Sequence, residues 1–193
     1  MLEVLESGIQ SLAQYAQIPI AFPVTSIFHV EILDGGLGGF RLVEEPVTPY
    51  IKDYNACEEG GPEHWPRQFD ITNWGFFLAL EGERPIGGAA VAFNTKGINM
   101  LEGRRDLSVL WDIRVQPEFR GRGIGRALFL QAAEWSRERG CRQMKVETQN
   151  VNVPACRFYV NMGCELGAIN RHGYAGQPHV AHEVMFLWYI FLK

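Results

Sequence analysis

The segment Val115-Gln116-Pro117-Glu118-Phe119-Arg120-Gly121-Arg122-Gly123-Ile124-Gly125-Arg126 concentrates more chemistry than any other stretch of the chain. A strand-like run ends at Val115, a proline turns the backbone, and a glycine-rich loop opens directly into a helical pattern. The first N–H groups of a helix have no partner inside it, and the helix dipole favours negative charge there. Glycines let the backbone approach a bulky anion, while Arg120, Arg122 and Arg126 add neutralising charge. Together these features predict a cradle for phosphate or pyrophosphate. A Walker loop needs Gly-Lys-Ser/Thr, and the segment has no lysine. The dinucleotide fingerprint G-x-G-x-x-G needs glycine at 126, where Arg126 stands.

The elements around this loop follow from periodicity. Leu107 to Val115 reads as the strand that enters it. Ile124, Leu128, Ala132 and Trp135 fall on one face of a helix over 123–139, which Gly140 ends. Trp74 to Glu81 and Ile86 to Phe93 read as a hairpin turning through Gly82-Glu83-Arg84-Pro85. Gln143 to Gln149 reads as a strand, and Pro154 to Met162 as a helix with proline in its first turn. Glu165 to Asn170 and Glu183 to Leu192 supply two last strands. Upstream, Leu2, Leu5, Ile9, Leu12 and Ala16 have helical spacing, which predicts a helical extension over residues 1–24. Thr25 to Leu33 and Phe40 to Val43 read as strands joined by a glycine turn. Glu44 to Asp70 shows little periodicity and is expected to form loops and helical turns.

The chain has 193 residues, 47% of them hydrophobic and 21% charged. That length fits one α/β domain spanning residues 1–193, with a real core. The longest clean apolar run, Val184 to Leu192, is far short of the ~20 residues of a membrane helix. Glu3 and Glu6 near the start argue against a secretory leader. Cys57, Cys141, Cys156 and Cys164 form no C-x-x-C pair, so a reducing, cytoplasmic setting is expected. His179 and His182 lack a third ligand at a recognised spacing, and no metal is expected. The net charge of −4 is unevenly spread: residues 1–103 hold 5 bases and 14 acids, whereas residues 104–142 hold 9 bases, all arginine, and 5 acids. A basic middle in an acidic chain predicts a local anion site, not a nucleic-acid face.

Beyond this physical reading, Arg120-Gly121-Arg122-Gly123-Ile124-Gly125 resembles the (Q/R)-x-x-G-x-(G/A) loop of the GCN5-related N-acetyltransferases, the GNAT family. Trp111 to Pro117 resembles that family's central strand. Asn152-Val153-Pro154-Ala155-Cys156-Arg157-Phe158-Tyr159, followed by Gly163, is similar to its N-x-A-A-x-x-x-Y-x-x-x-G-F element. Cys164 stands where phenylalanine is usual, a packing change. The resemblance covers about residues 70 to 190. Within the family, Val146 to Asn152, Ala155 to Tyr159, Leu166 to Asn170, Leu187-Trp188-Tyr189 and Pro49 to Tyr54 are similar to streptothricin acetyltransferases.

The resemblance implies a GNAT fold: a mixed, mostly antiparallel sheet of about six to seven strands with helices on both faces. It implies acetyl transfer from acetyl-CoA to a primary amine by direct attack in a ternary complex. Backbone groups of Ile113 and Val115 would pair with the pantetheine arm, and the Val115 N–H would polarise the thioester carbonyl. The N–H groups from Gly121 to Arg126 would hold the pyrophosphate, and Asn152 would contact the pantetheine side. Tyr159 would face the sulfur as the acid. A lysine-like amine of pKa ~10.4 is only about one part in 2500 neutral at pH 7, so a base is needed. Asp112 is the first candidate and Glu147 the second. Glu44, Glu45, Glu58, Glu59, Glu63 and Asp70 lie where the family places acceptor-side elements, which predicts a small cationic metabolite or antibiotic such as streptothricin as acceptor. Trp65, Trp74, Trp111 and Trp188 read mostly as core, although Trp65, in the acidic loop, could also line that acceptor's pocket. The rival readings are a protein or peptide N-acetyltransferase, a non-catalytic CoA-binding module, or a site for another nucleotide. No membrane or nucleic-acid partner is expected, and the reading leaves room for a homodimer.

Overall fold

The computed structural model describes residues 3–56 and 61–193. Cys57, Glu58 and Glu59, and Leu2 of the N-terminal pattern, lie outside the described residues. Nine strands and four α-helices occur among those described: β1 (Glu3–Ser7), α1 (Leu12–Tyr15), β2 (Phe22–Ile32), β3 (Phe40–Lys52), α2 (Trp65–Gln68), β4 (Gly75–Glu81), β5 (Arg84–Phe93), β6 (Leu107–Val115), α3 (Ile124–Glu138), β7 (Gln143–Gln149), α4 (Val153–Asn161), β8 (Glu165–Asn170) and β9 (Met185–Phe191). Seven strands form a mixed sheet in the order β1-β4-β5-β6-β7-β9-β8, and β2 with β3 forms a two-stranded ribbon. Pairing is antiparallel from β1 through β6 and parallel between β6 and β7.

The chain divides into two compact units. The first comprises Met1–Ala21, Asp53–Val146 and Tyr189–Lys193, and the second Phe22–Lys52 and Glu147–Trp188.

In the first unit, β5 explains why helices cover both faces of its sheet. Successive strand residues point to opposite faces, and Gly87 and Gly88 are successive. A Cβ on Gly87 would lie 2.7 Å from Ile124 and 3.0 Å from Leu128 of α3, whereas one on Gly88 would lie 2.6 Å from the Tyr15 ring of α1. Both helices therefore rest on bare backbone. The α1 face is filled by a core of Leu12, Tyr15, Ile18, Trp65, Trp74, Phe76 and Val109, with Phe69 and Trp111 packed at its margin. Replacing Gly88 with alanine is expected to destabilise the fold by about 1–3 kcal/mol through overpacking against a ring that cannot move. A urea titration checks this, and an unchanged midpoint would mean that α1 yields.

The structure departs from two expectations. The N-terminal residues are not one helix: Glu3–Ser7 pairs antiparallel with β4, Gly8 interrupts, and only Leu12–Tyr15 is α-helical. Leu5 and Ile9, which complete the helical spacing, are largely exposed. The stretch from Glu44 to Lys52, expected to be loop, continues β3. It is held by pairing with β2, whose register shifts between Val24 and Ser26, where Pro46 and Pro49 interrupt regular bonding. Trp65 is core, as its residue type suggests: it is buried edge-on to Tyr15, tilted against Trp74 and stacked on Phe76.

Candidate active site

Strand β6 is the site's foundation. Its ladder with β5 pairs Ala90 with Asp112 but Val91 with Leu110, so Trp111 is an extra, bulged residue. Beyond the bulge, the Gln116 N–H donates to the Ile86 carbonyl at 2.9 Å. In an antiparallel ladder this fixes which residues bond to β5. Asp112, Arg114 and Gln116 turn their peptide groups toward β5, and Ile113 and Val115 turn theirs away. On that other side, β6 pairs with β7 only through Leu107, Ser108 and Val109. Ile113 and Val115 thus offer their N–H groups along an edge without ladder partners among the described residues. The Val115 carbonyl accepts from Arg120 Nε at 3.1 Å.

This edge runs through a 3₁₀ turn, Pro117–Phe119, into the loop before α3. Gly121 and Gly123 have φ of 77° and 84°, in the left-handed region that only glycine adopts freely. A Cβ at either position would meet no atom within 4 Å, so the space beside the loop is open. Gly123 is the N-cap of α3, and no side chain caps the helix. The leading N–H groups of a 15-residue helix are therefore presented at an exposed glycine loop. An open strand edge continuing into a bare helix N-terminus suits a ligand with a peptide-like arm and a pyrophosphate, which is the chemistry of coenzyme A.

The arginines divide their duties. Arg120 Nη2 donates to the Ala21 carbonyl at 2.9 Å, so together with its bond to Val115 its guanidinium ties the loop to the N-terminal segment. Arg122 lies over the Phe119 ring at 5.0 Å, and both Arg122 and Arg126 are exposed. Elsewhere in the basic stretch, Arg104 pairs with Asp106, and Arg137 with Glu134. Much of the local excess of arginine therefore has structural partners, and Arg122 and Arg126 remain on the surface beside the glycine loop.

Asp112 occupies a different environment from the one its sequence suggested. Because of the bulge, Asp112 and Arg114 face the α1 side. Arg114 grips the carboxylate with Nε at 2.8 Å from Oδ1 and Nη2 at 2.5 Å from Oδ2, and the Tyr15 hydroxyl donates to Oδ1 at 2.5 Å. Arg114 Nη1 completes the cluster at the Ile18 carbonyl, 3.0 Å away. The side chains of Arg114 and Asp112 are 1% and 8% exposed. Burial opposes the Arg114 charge, but the adjacent carboxylate outweighs it and holds the guanidinium more firmly protonated than usual. Burial, with the Asp112 charge behind it, pushes the Tyr15 phenol well above its ordinary range.

The remaining predicted residues belong to the second unit. Asn152 caps α4, its Oδ1 accepting from the Ala155 N–H at 3.2 Å. Tyr159 is buried on α4 with its ring edge-on to Phe158. Its carbonyl accepts from the N–H of Cys164, which fixes the end of the helix. Glu147 is half-buried on β7, and its Oε1 accepts from the hydroxyl of Tyr174 at 2.7 Å. Tyr174 carried no sequence signal, because it lies in a segment without periodicity. Burial pushes the Cys156 and Cys164 thiols up to about 11 and about 12, which keeps both un-ionised at neutral pH. Among the described residues no group of three His, Cys, Asp or Glu could hold a metal.

The model of the acetyltransferase (GNAT) family matches residues 43–164. The chain belongs to the GNAT family. It is 30% identical over 170 residues to a streptothricin acetyltransferase of Escherichia coli, covering 88% of this chain and 85% of that one. Its fold matches a crystal structure of nourseothricin acetyltransferase with a TM-score of 0.76 and 27% identity, over 100% of this chain and 99% of that one. A Bacillus anthracis str. Ames structure in complex with acetyl coenzyme A shares the fold at a TM-score of 0.76 and 24% identity, over 99% of both chains. This GNAT protein is an acetyl-CoA-dependent N-acetyltransferase with acetyl-CoA as cosubstrate. None of its described helices is long and apolar enough to cross a membrane.

Proposed function

We propose that the protein acetylates a primary amine of a small cationic acceptor of the streptothricin class, by direct attack in a ternary complex. The observation that carries the acceptor class is the near full-length similarity to a streptothricin acetyltransferase. Acetyl-CoA, when bound, supplies an acetyl group activated as a thioester. The protein's part is to bind, orient and move protons. The N–H groups of Ile113 and Val115 pair with the pantetheine arm along the β6 edge, and the Val115 N–H donates where charge develops on the carbonyl oxygen. The α3 N-terminus and the Gly121 to Arg126 loop take the pyrophosphate.

Deprotonating the amine at pH 7 costs about 4.6 kcal/mol for a group of pKa ~10.4. Of Asp112 and Glu147, Glu147 is the better proton acceptor. Asp112 has both oxygens bound by Arg114 in a buried ion pair, and protonating it would leave that guanidinium uncompensated. Tyr159 is the group assigned to the departing sulfur.

Two measurements test this. Acetyl-CoA at about a hundred times its Kd should stabilise the fold by about 2.7 kcal/mol, raising Tm by about 5–10 °C, while NAD and ATP leave Tm unchanged. No shift with acetyl-CoA would sink the cofactor assignment. Thiol release should then be followed with streptothricin, spermidine, kanamycin and peptides bearing a free N-terminus or lysine. Fastest turnover of streptothricin is expected. Preference for the peptides would transfer the reading to protein acetylation, and binding without release would indicate a non-catalytic module.

A further inference from the structure

We propose that Tyr174 is a positioning residue for catalysis, its phenol holding the Glu147 carboxylate in the orientation that receives the proton of the acceptor's ammonium. The proposal rests on the reading of Glu147 as the proton acceptor. Residues 171–184 join β8 to β9 without helix or strand, and their side chains are exposed or half-buried except for two. Tyr174 is 6% exposed and Glu183 is 3% exposed. Both are polar anchors inside the second unit. Glu183 is ion-paired with Lys52 of β3. Tyr174 accepts from Gln149 Nε2 at 2.7 Å and donates to Glu147 Oε1 at 2.7 Å.

The direction of these bonds is informative. A phenol has one proton, and the amide of Gln149 supplies a donor, so the Tyr174 proton goes to the carboxylate. Glu147 and Gln149 are two apart on β7 and share one face of the strand. Any backbone carbonyl could satisfy a buried phenol that served only as an anchor. Here two partners are β7 side chains, and one is the half-buried carboxylate assigned to proton transfer. Fixing one oxygen of that carboxylate removes rotamer freedom and sets the direction of the other. In the step itself an N–H bond of the ammonium breaks, and its proton forms an O–H bond on Glu147. The freed amine lone pair then attacks.

A double-mutant cycle on the full chain tests the assignment, using whichever of streptothricin, spermidine, kanamycin or the peptides turns over fastest. Tyr174→Phe is expected to lower acceptor kcat/KM about tenfold, with the KM for acetyl-CoA unchanged. In a Glu147→Gln background, itself strongly impaired, the same change should cost less than twofold. Glu147→Gln with parental turnover would remove the reading of Glu147. Impairment by Glu147→Gln with no effect of Tyr174→Phe overturns the proposal alone, as does an undiminished tenfold loss in the Glu147→Gln background. If Tyr174→Phe fails to fold, Gln149→Met loosens the phenol and carries the test. A loss of acceptor kcat/KM confined to the Glu147 background supports the proposal, and no loss overturns it.

Discussion

Replacing Asp112 with asparagine is expected to lower the unfolding free energy by about 3–5 kcal/mol, because it removes one partner of a buried ion pair and leaves the other charged. Arg114 is 1% exposed and its guanidinium stays protonated, so it cannot escape by releasing a proton. The bond from Tyr15 to Oδ1 weakens in the same variant, since a neutral amide oxygen is a poorer acceptor than a carboxylate. For a chain of this length the loss corresponds to a fall in Tm of about 6–20 °C. A thermal melt and a urea titration would measure it. A second variant separates charge from packing. Asp112→Leu combined with Arg114→Met removes both charges and should melt closer to the parent than Asp112→Leu alone. If Asp112→Asn instead melts with the parent while turnover collapses, Asp112 is the base and Glu147 is not.

Tyr15 and Asp112 are 97 positions apart, and no local pattern announces their bond. The hairpin of β4 and β5, the strands β6 to β8 and the helices α3 and α4 were legible, because each carries its own hydrophobic period and its own glycine or proline boundaries. The glycine loop before α3 was legible for the same reason: glycine at positive φ before a helix is a local requirement. The Trp111 bulge was not, since an extra residue is defined only by the partner strand. A simple alternation sets Asp112 opposite Trp111, whereas the bulge returns both to the α1 side, with Trp111 against Trp74 and Phe69. The second half of β3 was hidden because Pro46 and Pro49 are strand breakers by local rule, and a two-stranded ribbon tolerates them where a central strand would not. Arg120 matched the motif as one of three cations. Its bonds to the Ala21 and Val115 carbonyls make it a brace for the loop, a role that depends on a segment about a hundred residues away.

Tyr159→Phe is expected to lower kcat about a hundredfold with acetyl-CoA binding changed less than twofold. A phenol of pKa ~10 is a weaker acid than a thiol of ~8.5, so complete proton transfer to the departing sulfur is uphill by about 2 kcal/mol. In the proposed role, the phenol's useful contribution would therefore be a hydrogen bond that strengthens as negative charge develops on sulfur, with proton transfer late or incomplete. Interactions realised only in the transition state change kcat and leave ground-state affinity alone. The ring itself need not move when the hydroxyl is lost. Tyr159 is 3% exposed, packs edge-on to Phe158, and its backbone carbonyl secures the end of α4 through Cys164, contacts that phenylalanine keeps. Acetyl-CoA titration and steady-state kinetics at saturating acceptor distinguish the outcomes. Unchanged kcat with weakened acetyl-CoA binding would make Tyr159 a packing residue. The deficit should also shrink with acetyl thioesters whose thiols are more acidic than that of coenzyme A, since a better leaving group depends less on a hydrogen-bond donor. A deficit independent of leaving-group acidity would place the hydroxyl elsewhere in the reaction.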